Sequence, residues 1–143
     1  MSEVEGLWEL HSWSQTYDDG RVFYPMGEAL IGQLIYGPGL QFSVFISRAN
    51  RLPFQTGGQW TASVEEKAEA YDSVLAYIGN YEFDGNRMKH NVTASLFPNW
   101  IAHTQVREVA LDGDLLTLRG RMEENSPQAR TAELAWRRQQ SKD

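Results

Sequence analysis

Proton transfer and anion recognition call for imidazole, guanidinium, phenol or amide groups gathered on one face, and in this chain they gather between Asn86 and Arg107, NRMKHNVTASLFPNWIAHTQVR. Met88, His90, Val92, Ala94 and Leu96 alternate with Lys89, Asn91, Thr93 and Ser95, which assigns His90 to the apolar face of a strand. An imidazole buried there stays neutral, fit to act as a general base or to hydrogen-bond a ligand. The same pattern fits a core histidine satisfied by a tyrosine or a backbone carbonyl. Arg107 also has two readings. Gln105, Arg107, Val109 and Leu111 form one face of the next run, and Thr104, Val106, Glu108 and Ala110 form the other. Turned outward, Arg107 makes a solvated cross-strand pair. Turned inward, its guanidinium needs an anion: a carboxylate such as Glu28 or Glu82, or a carboxylate, enol or phenolate on a ligand.

Phenols and other rings complete the candidate set. Tyr77, Gly79, Tyr81 and Phe83 alternate in the run before His90, so tyrosines stand beside the imidazole. If the site performs chemistry, the catalytic candidates are His90, Arg107 and Tyr81, with His90 moving a proton while Arg107 or a tyrosine steadies an oxyanion. If it only binds, the ligand-binding candidates are Tyr24, Tyr36, Tyr77, Phe97, Trp100 and Gln105. Phe97 and Trp100 sit in a connection where a turn needs no rings, and either cap a ligand or plug one end of the core. Each tyrosine taken singly also fits plain packing. His103 opens a strand and is expected at the surface. A metal site from His90, His103 and a carboxylate matches no ligand spacing, so no metal is expected. Phosphate loops, nucleophile elbows and dinucleotide fingerprints are absent from the sequence, and no cofactor is expected.

The elements that must position these residues are mostly strands. Gly6 to Leu10 opens the first, Asp18-Asp19-Gly20 turns the chain into Arg21 to Tyr24, and Tyr24-Pro25-Met26-Gly27-Glu28 reads as a bend at a sheet rim. Leu30 to Tyr36 and Gln41 to Ser47 flank the turn Gly37-Pro38-Gly39. Arg48 to Thr61 loses periodicity and is expected to be a long loop near an opening, where such loops gate ligands. Ser63-x-x-Glu66 is a capping box, and Ala68, Tyr71, Leu75 and Ile78 recur at helical spacing, which predicts one amphipathic helix. Later strands are predicted at Tyr77 to Phe83, Asn86 to Leu96, the Gln105 run, Leu115 to Arg121 and Thr131 to Arg137. Many short strands joined by hairpin turns, with one helix, predict an all-β antiparallel barrel of about eight to nine strands, able to enclose one small ligand. Residues 1–138 are read as one domain, with a disordered tail from Gln139.

Bulk properties narrow the partners. Thirteen Lys and Arg against nineteen Asp and Glu give a net charge of -6 with no basic run, which disfavours nucleic acid and anionic membranes. No cysteine is present, so thiolate chemistry and disulfides are excluded. With no secretion signal or long apolar run at the start, a cytoplasmic protein is expected, and a homodimer stays open.

The assembled residues resemble the lipocalin-like domain family, small calycin-type up-and-down barrels related in architecture to the lipocalins. The resemblance spans nearly the whole chain. It rests on Gly6-x-Trp8, Asp19-Gly20-Arg21-Val22-x-Tyr24-Pro25-x-Gly27, Gly32-x-Leu34-Ile35-Tyr36, Tyr77-x-Gly79-x-Tyr81, His90 with Ser95-Leu96-Phe97-Pro98-Asn99-Trp100, and Gln105-x-Arg107. It implies that Trp8 is covered by an arginine from the last strand, Arg137 or Arg138, closing the barrel floor. It also implies binding of a small, mostly hydrophobic or aromatic ligand. Similar barrels act as cofactor-free cyclases and isomerases in natural-product pathways, so a cyclase, isomerase or dehydratase acting on a polyketide- or terpenoid-like substrate is the alternative. A filled barrel serving as a protein-interaction module is a third reading.

Overall fold

The structure, a computed structural model, describes residues 3–139. Strands β1 (Gly6–Tyr17), β2 (Val22–Phe23), β3 (Leu30–Tyr36) and β4 (Gln41–Arg48) precede the helix α1 (Val64–Asp72). Then follow β5 (Val74–Phe83), β6 (Arg87–Ser95), a 3-10 turn at Pro98–Trp100, β7 (Thr104–Asp112), β8 (Leu115–Met122) and β9 (Arg130–Arg138). Each strand from β3 onward pairs antiparallel with the next, and β9 returns to β1, so eight strands close a barrel with β2 as an extra strand against β1. Closure leaves no free edge among the eight, satisfying the backbone without water. Because the strands run up and down, the tight turns after β3, β5 and β7 lie at one end. The longer connections, including the helix and the Phe97–Trp100 segment, lie at the other.

Two bulges set which residues reach the interior. In β1 the register shifts between Leu10 and Ser12, so Trp8 and Leu10 point inward before it while Trp13 and Gln15 do so after it. In β5 and β6, Ile78 pairs with Ala94 but Gly79 with Val92, which leaves Thr93 unpaired and turns Ala94 outward. The alternation read from Met88 to Leu96 therefore holds only as far as Val92; Ala94 and Leu96 are exposed. Gly79 is required at this point, since a Cβ on it would lie 1.9 Å from the Asn91 carbonyl oxygen.

The helix is shorter than its spacing implied. Ser63 caps it, accepting from the Glu66 amide, but it ends at Asp72, and Leu75 and Ile78 belong to β5. None of its residues is buried. Polar ties hold it instead: Glu66 accepts from the Gln55 and Thr56 amides, pinning the preceding loop onto the helix, and Arg48 pairs with Glu69. Gln139 donates from its amide to the Leu7 carbonyl at 2.8 Å, and the rest of the expected tail, residues 140–143, lies outside the described residues.

One end of the barrel is sealed by Trp8, which is fully buried and donates from its indole N–H to the Val4 carbonyl at 2.9 Å. Of the two arginines after Trp136, it is Arg138 that covers it, with the guanidinium carbon 4.2 Å from the ring centroid and further bonds to the Glu3 and Glu5 carbonyls. Trp8→Ala is expected to cost about 3–5 kcal/mol in chemical denaturation. A loss under about 1 kcal/mol would show that the plug is dispensable.

Candidate functional site

Beyond this floor the barrel interior is only partly filled. A cavity of about 90 Å³ remains, walled by aliphatic side chains such as Leu34, Val44, Leu118 and Leu134 and by the rings of Trp13, Tyr77, Trp100 and Trp136. Gln15, His90 and Arg107 add polar side chains to this lining, beside the phenol of Tyr77 and the indoles of Trp13, Trp100 and Trp136.

His90 is the best defined of these. It projects from β6 between Met88 and Val92, is 1% exposed, and stacks on Phe42 with centroids 4.4 Å apart. Its Nε2 lies 2.6 Å from the Tyr36 hydroxyl. Burial, and next the positive charge of Arg107, lower the imidazole from 6.5 to about 3, so it is neutral at physiological pH. Burial likewise raises the Tyr36 phenol well above its ordinary value. Of two neutral partners the phenol is the stronger donor and the imidazole nitrogen the stronger acceptor, so Tyr36 donates to Nε2. The remaining proton of His90 then sits on Nδ1, which is buried and has no partner. The indole N–H of Trp136, 1% exposed, is also unpartnered.

Arg107 faces inward. The residues of β7 alternate between part-buried and exposed, and Gln105, Arg107, Val109 and Leu111 form the inner set. Its guanidinium donates to Gln105 Oε1 at 3.0 Å and to the Val106 carbonyl at 2.9 Å. Among the described residues no carboxylate comes within ion-pair distance of it; Glu82 accepts instead from Asn91 on the outer wall. Room for the arginine comes from Gly120 on β8, where an added Cβ would lie 3.0 Å from Arg107 Cδ and 3.1 Å from Nη1.

The structure therefore brings His90, Arg107, Tyr77 and Trp100 together around one cavity, with Tyr36 behind His90 and Gln105 behind Arg107. Phe97 is 40% exposed and stands edge-on to Trp100, outside the wall. Tyr81 packs behind Tyr36, centroids 4.6 Å apart, and its hydroxyl donates to the Gly37 carbonyl, away from the cavity. Tyr24 is 39% exposed beyond β2. His103 is exposed, and the described residues contain no group of three side chains suited to a metal. The loop from Arg48 to Thr61 does not border this cavity. It lines an outer groove against α1, where Arg48, Arg51 and Glu66 are already bonded to neighbouring groups. Trp136 was not among the sequence candidates, although Ala132, Leu134 and Trp136 share one face of β9 by simple alternation. Trp13 and Gln15 were hidden by the β1 bulge.

The model of the lipocalin-like domain family matches residues 5–139. The chain belongs to that family. It is also similar to a 4'-hydroxy-3'-methoxypropiophenone carrier protein, ppsC, of Aspergillus oryzae, 40% identical over 62 residues that cover 38% of this chain. That match takes in 56% of the carrier's length, so the chain spans about half of this relative. No solved structure matches. Family membership agrees with the closed barrel, the Trp8 and Arg138 pair, and an interior that holds a cavity. No described helix is long and apolar enough to cross a membrane.

The lowered His90 value carries a stability signature. The unfolded imidazole takes a proton near 6.5 and the folded one only near 3, so the unfolded state binds more protons between these values and stability falls as pH drops. From pH 6.5 to 5.5, above the ordinary carboxylate values, His90 is expected to remove about 1 kcal/mol. Urea unfolding across that window should show this slope in the native chain and its loss in His90→Phe. An unchanged slope in the variant would contradict a buried neutral imidazole.

Proposed function

We propose that this barrel binds a small, largely apolar aromatic metabolite in its interior and works as a carrier or binding protein. The observation that carries this reading is the interior cavity, walled by aliphatic and aromatic side chains, into which Arg107 is turned with no carboxylate to meet it. A part-buried guanidinium turned toward an apolar cavity with no carboxylate beside it favours a ligand oxygen as the missing partner. The relative that carries a hydroxy- and methoxy-substituted propiophenone supports a single aromatic ring bearing oxygen substituents.

Size bears on the mechanism. About 90 Å³ is less than the roughly 150 Å³ of a cavity that accepts benzene, so a one-ring ligand requires side chains at the wall to yield. Trp100 is suited to this: it lies on a short 3-10 turn rather than a strand, is only part-buried, and is held by edge contacts to Tyr77 at 5.2 Å and Phe97 at 5.6 Å. Acid–base turnover by His90 would need a basicity near neutrality. An imidazole lowered to about 3, with Nε2 already engaged by Tyr36, supports a binding role over proton transfer.

Native mass spectrometry of the purified protein tests the binding role. The expected result is a one-to-one adduct with a small aromatic compound, either co-purified or supplied from a panel of phenols and aryl ketones. A protein that binds none of them would move the reading toward a filled interaction module. In this account Arg107→Met leaves stability within about 1 kcal/mol of the parent or raises it, because no ion pair is lost. The same substitution should remove, by titration calorimetry, the preference for 4-hydroxyacetophenone over acetophenone. A stability loss of 3 kcal/mol or more would mean that Arg107 is structural.

A further inference from the structure

We infer that the inner wall of the cavity recognises the carbonyl oxygen of an aryl ketone, through the Nδ1–H of His90 and the indole N–H of Trp136 acting together. This rests on the barrel being a binder of small aromatic molecules, and adds which chemical group the interior selects.

The two nitrogens are the buried side-chain polar atoms of the described residues that lack any hydrogen-bond partner. They belong to residues on different strands, β6 and β9, each 1% exposed, and both residues line the same cavity. Buried polar groups are ordinarily paired, so two exceptions on residues that line one cavity point to a ligand group that both can reach. The sign of that group follows from the donors. An indole nitrogen only donates, and His90 has its acceptor nitrogen occupied by Tyr36, leaving Nδ1–H to donate as well. The missing partner is therefore an acceptor, and a carbonyl oxygen with two lone pairs can serve both N–H groups at once.

A carboxylate fits less well. Neither N–H carries a formal charge, and the wall around them is apolar. An aromatic ring beside the carbonyl is called for by Trp13, Tyr77 and Trp100, which offer faces and edges to a flat ligand. The ketone then sits inside, while a second oxygen on the far side of the ring is left for Arg107.

The test uses ligands of one shape. Acetophenone, α-methylstyrene, in which a CH2 replaces the carbonyl oxygen, and benzoate are titrated calorimetrically into the full chain. Acetophenone is expected to bind about tenfold more tightly than α-methylstyrene, although water solvates the ketone better. It should also bind more tightly than benzoate. Trp136→Phe and His90→Phe should each shrink the ketone's advantage at least threefold. In 15N-labelled protein the indole resonance lost in Trp136→Phe should move on adding acetophenone and stay in place with α-methylstyrene. Equal or tighter binding of α-methylstyrene, or tighter binding of benzoate, overturns the assignment while leaving an aromatic binder standing. If none of the three binds, the binding role itself fails. Should either variant not fold, the comparison of the three ligands on the native chain still decides.

Discussion

Closing β1 onto β9 is the constraint on which everything else depends. It pairs Trp8 with Arg138 and Leu10 with Trp136, removes both free edges of the sheet, and excludes water from the space between the strands. Only in such a space does an imidazole remain neutral down to about pH 3, and only there does an unpaired indole N–H matter energetically. The bulge at His11 lets the first half of the strand pair with β3 while the second half, carrying Trp13 and Gln15, turns its inner face toward the cavity.

Within the closed barrel the interior divides into packed core and site. Trp8, Leu34, Tyr36, Phe42, Tyr81 and Met88 belong to one buried cluster, and rings continue from it to the other end: Tyr36 reaches His90, Phe42 stacks on His90 and meets Tyr77, and Tyr77 meets Trp100. This continuity gives the ring of His90 little freedom to reorient. Its donor therefore points where the packing places it, an instance of a binding group fixed by a supporting layer before any ligand arrives. Arg107 contrasts with it. Its guanidinium is held by one amide oxygen and one carbonyl and lies over Gly120, free to redirect when an oxygen enters.

Much of this was legible in the sequence, for identifiable reasons. Hairpin turns such as Gly37-Pro38-Gly39 and Asp84-Gly85-Asn86 bracket strands whose inner residues alternate, so β3 and the first part of β6 follow directly from period two. His90 could be placed inward because its neighbours Met88 and Val92 are apolar. Arg107 could not, because the two faces of β7 offer similar content, Val109 and Leu111 against Val106 and Ala110; only pairing with β6 and β8 decides between them. Helical spacing ran past Asp72 because Leu75 and Ile78 happen to continue it, whereas hydrogen bonding to β4 claims them for β5. Bulges were the main obstacle, since one added residue reverses the phase of all that follows. Trp136 is within reach of the same alternation rule, since it shares a face of β9 with Ala132 and Leu134.

The most direct test of this account is a crystal structure of the protein with 4-hydroxyacetophenone. The account predicts the ring inside the barrel between Tyr77 and Trp100, and the carbonyl oxygen about 3 Å from both His90 Nδ1 and Trp136 Nε1. It also predicts Arg107 turned toward the phenolic oxygen. A ligand seated instead on the outer wall near the exposed Phe45 and Ile78, with the interior unchanged, would contradict it.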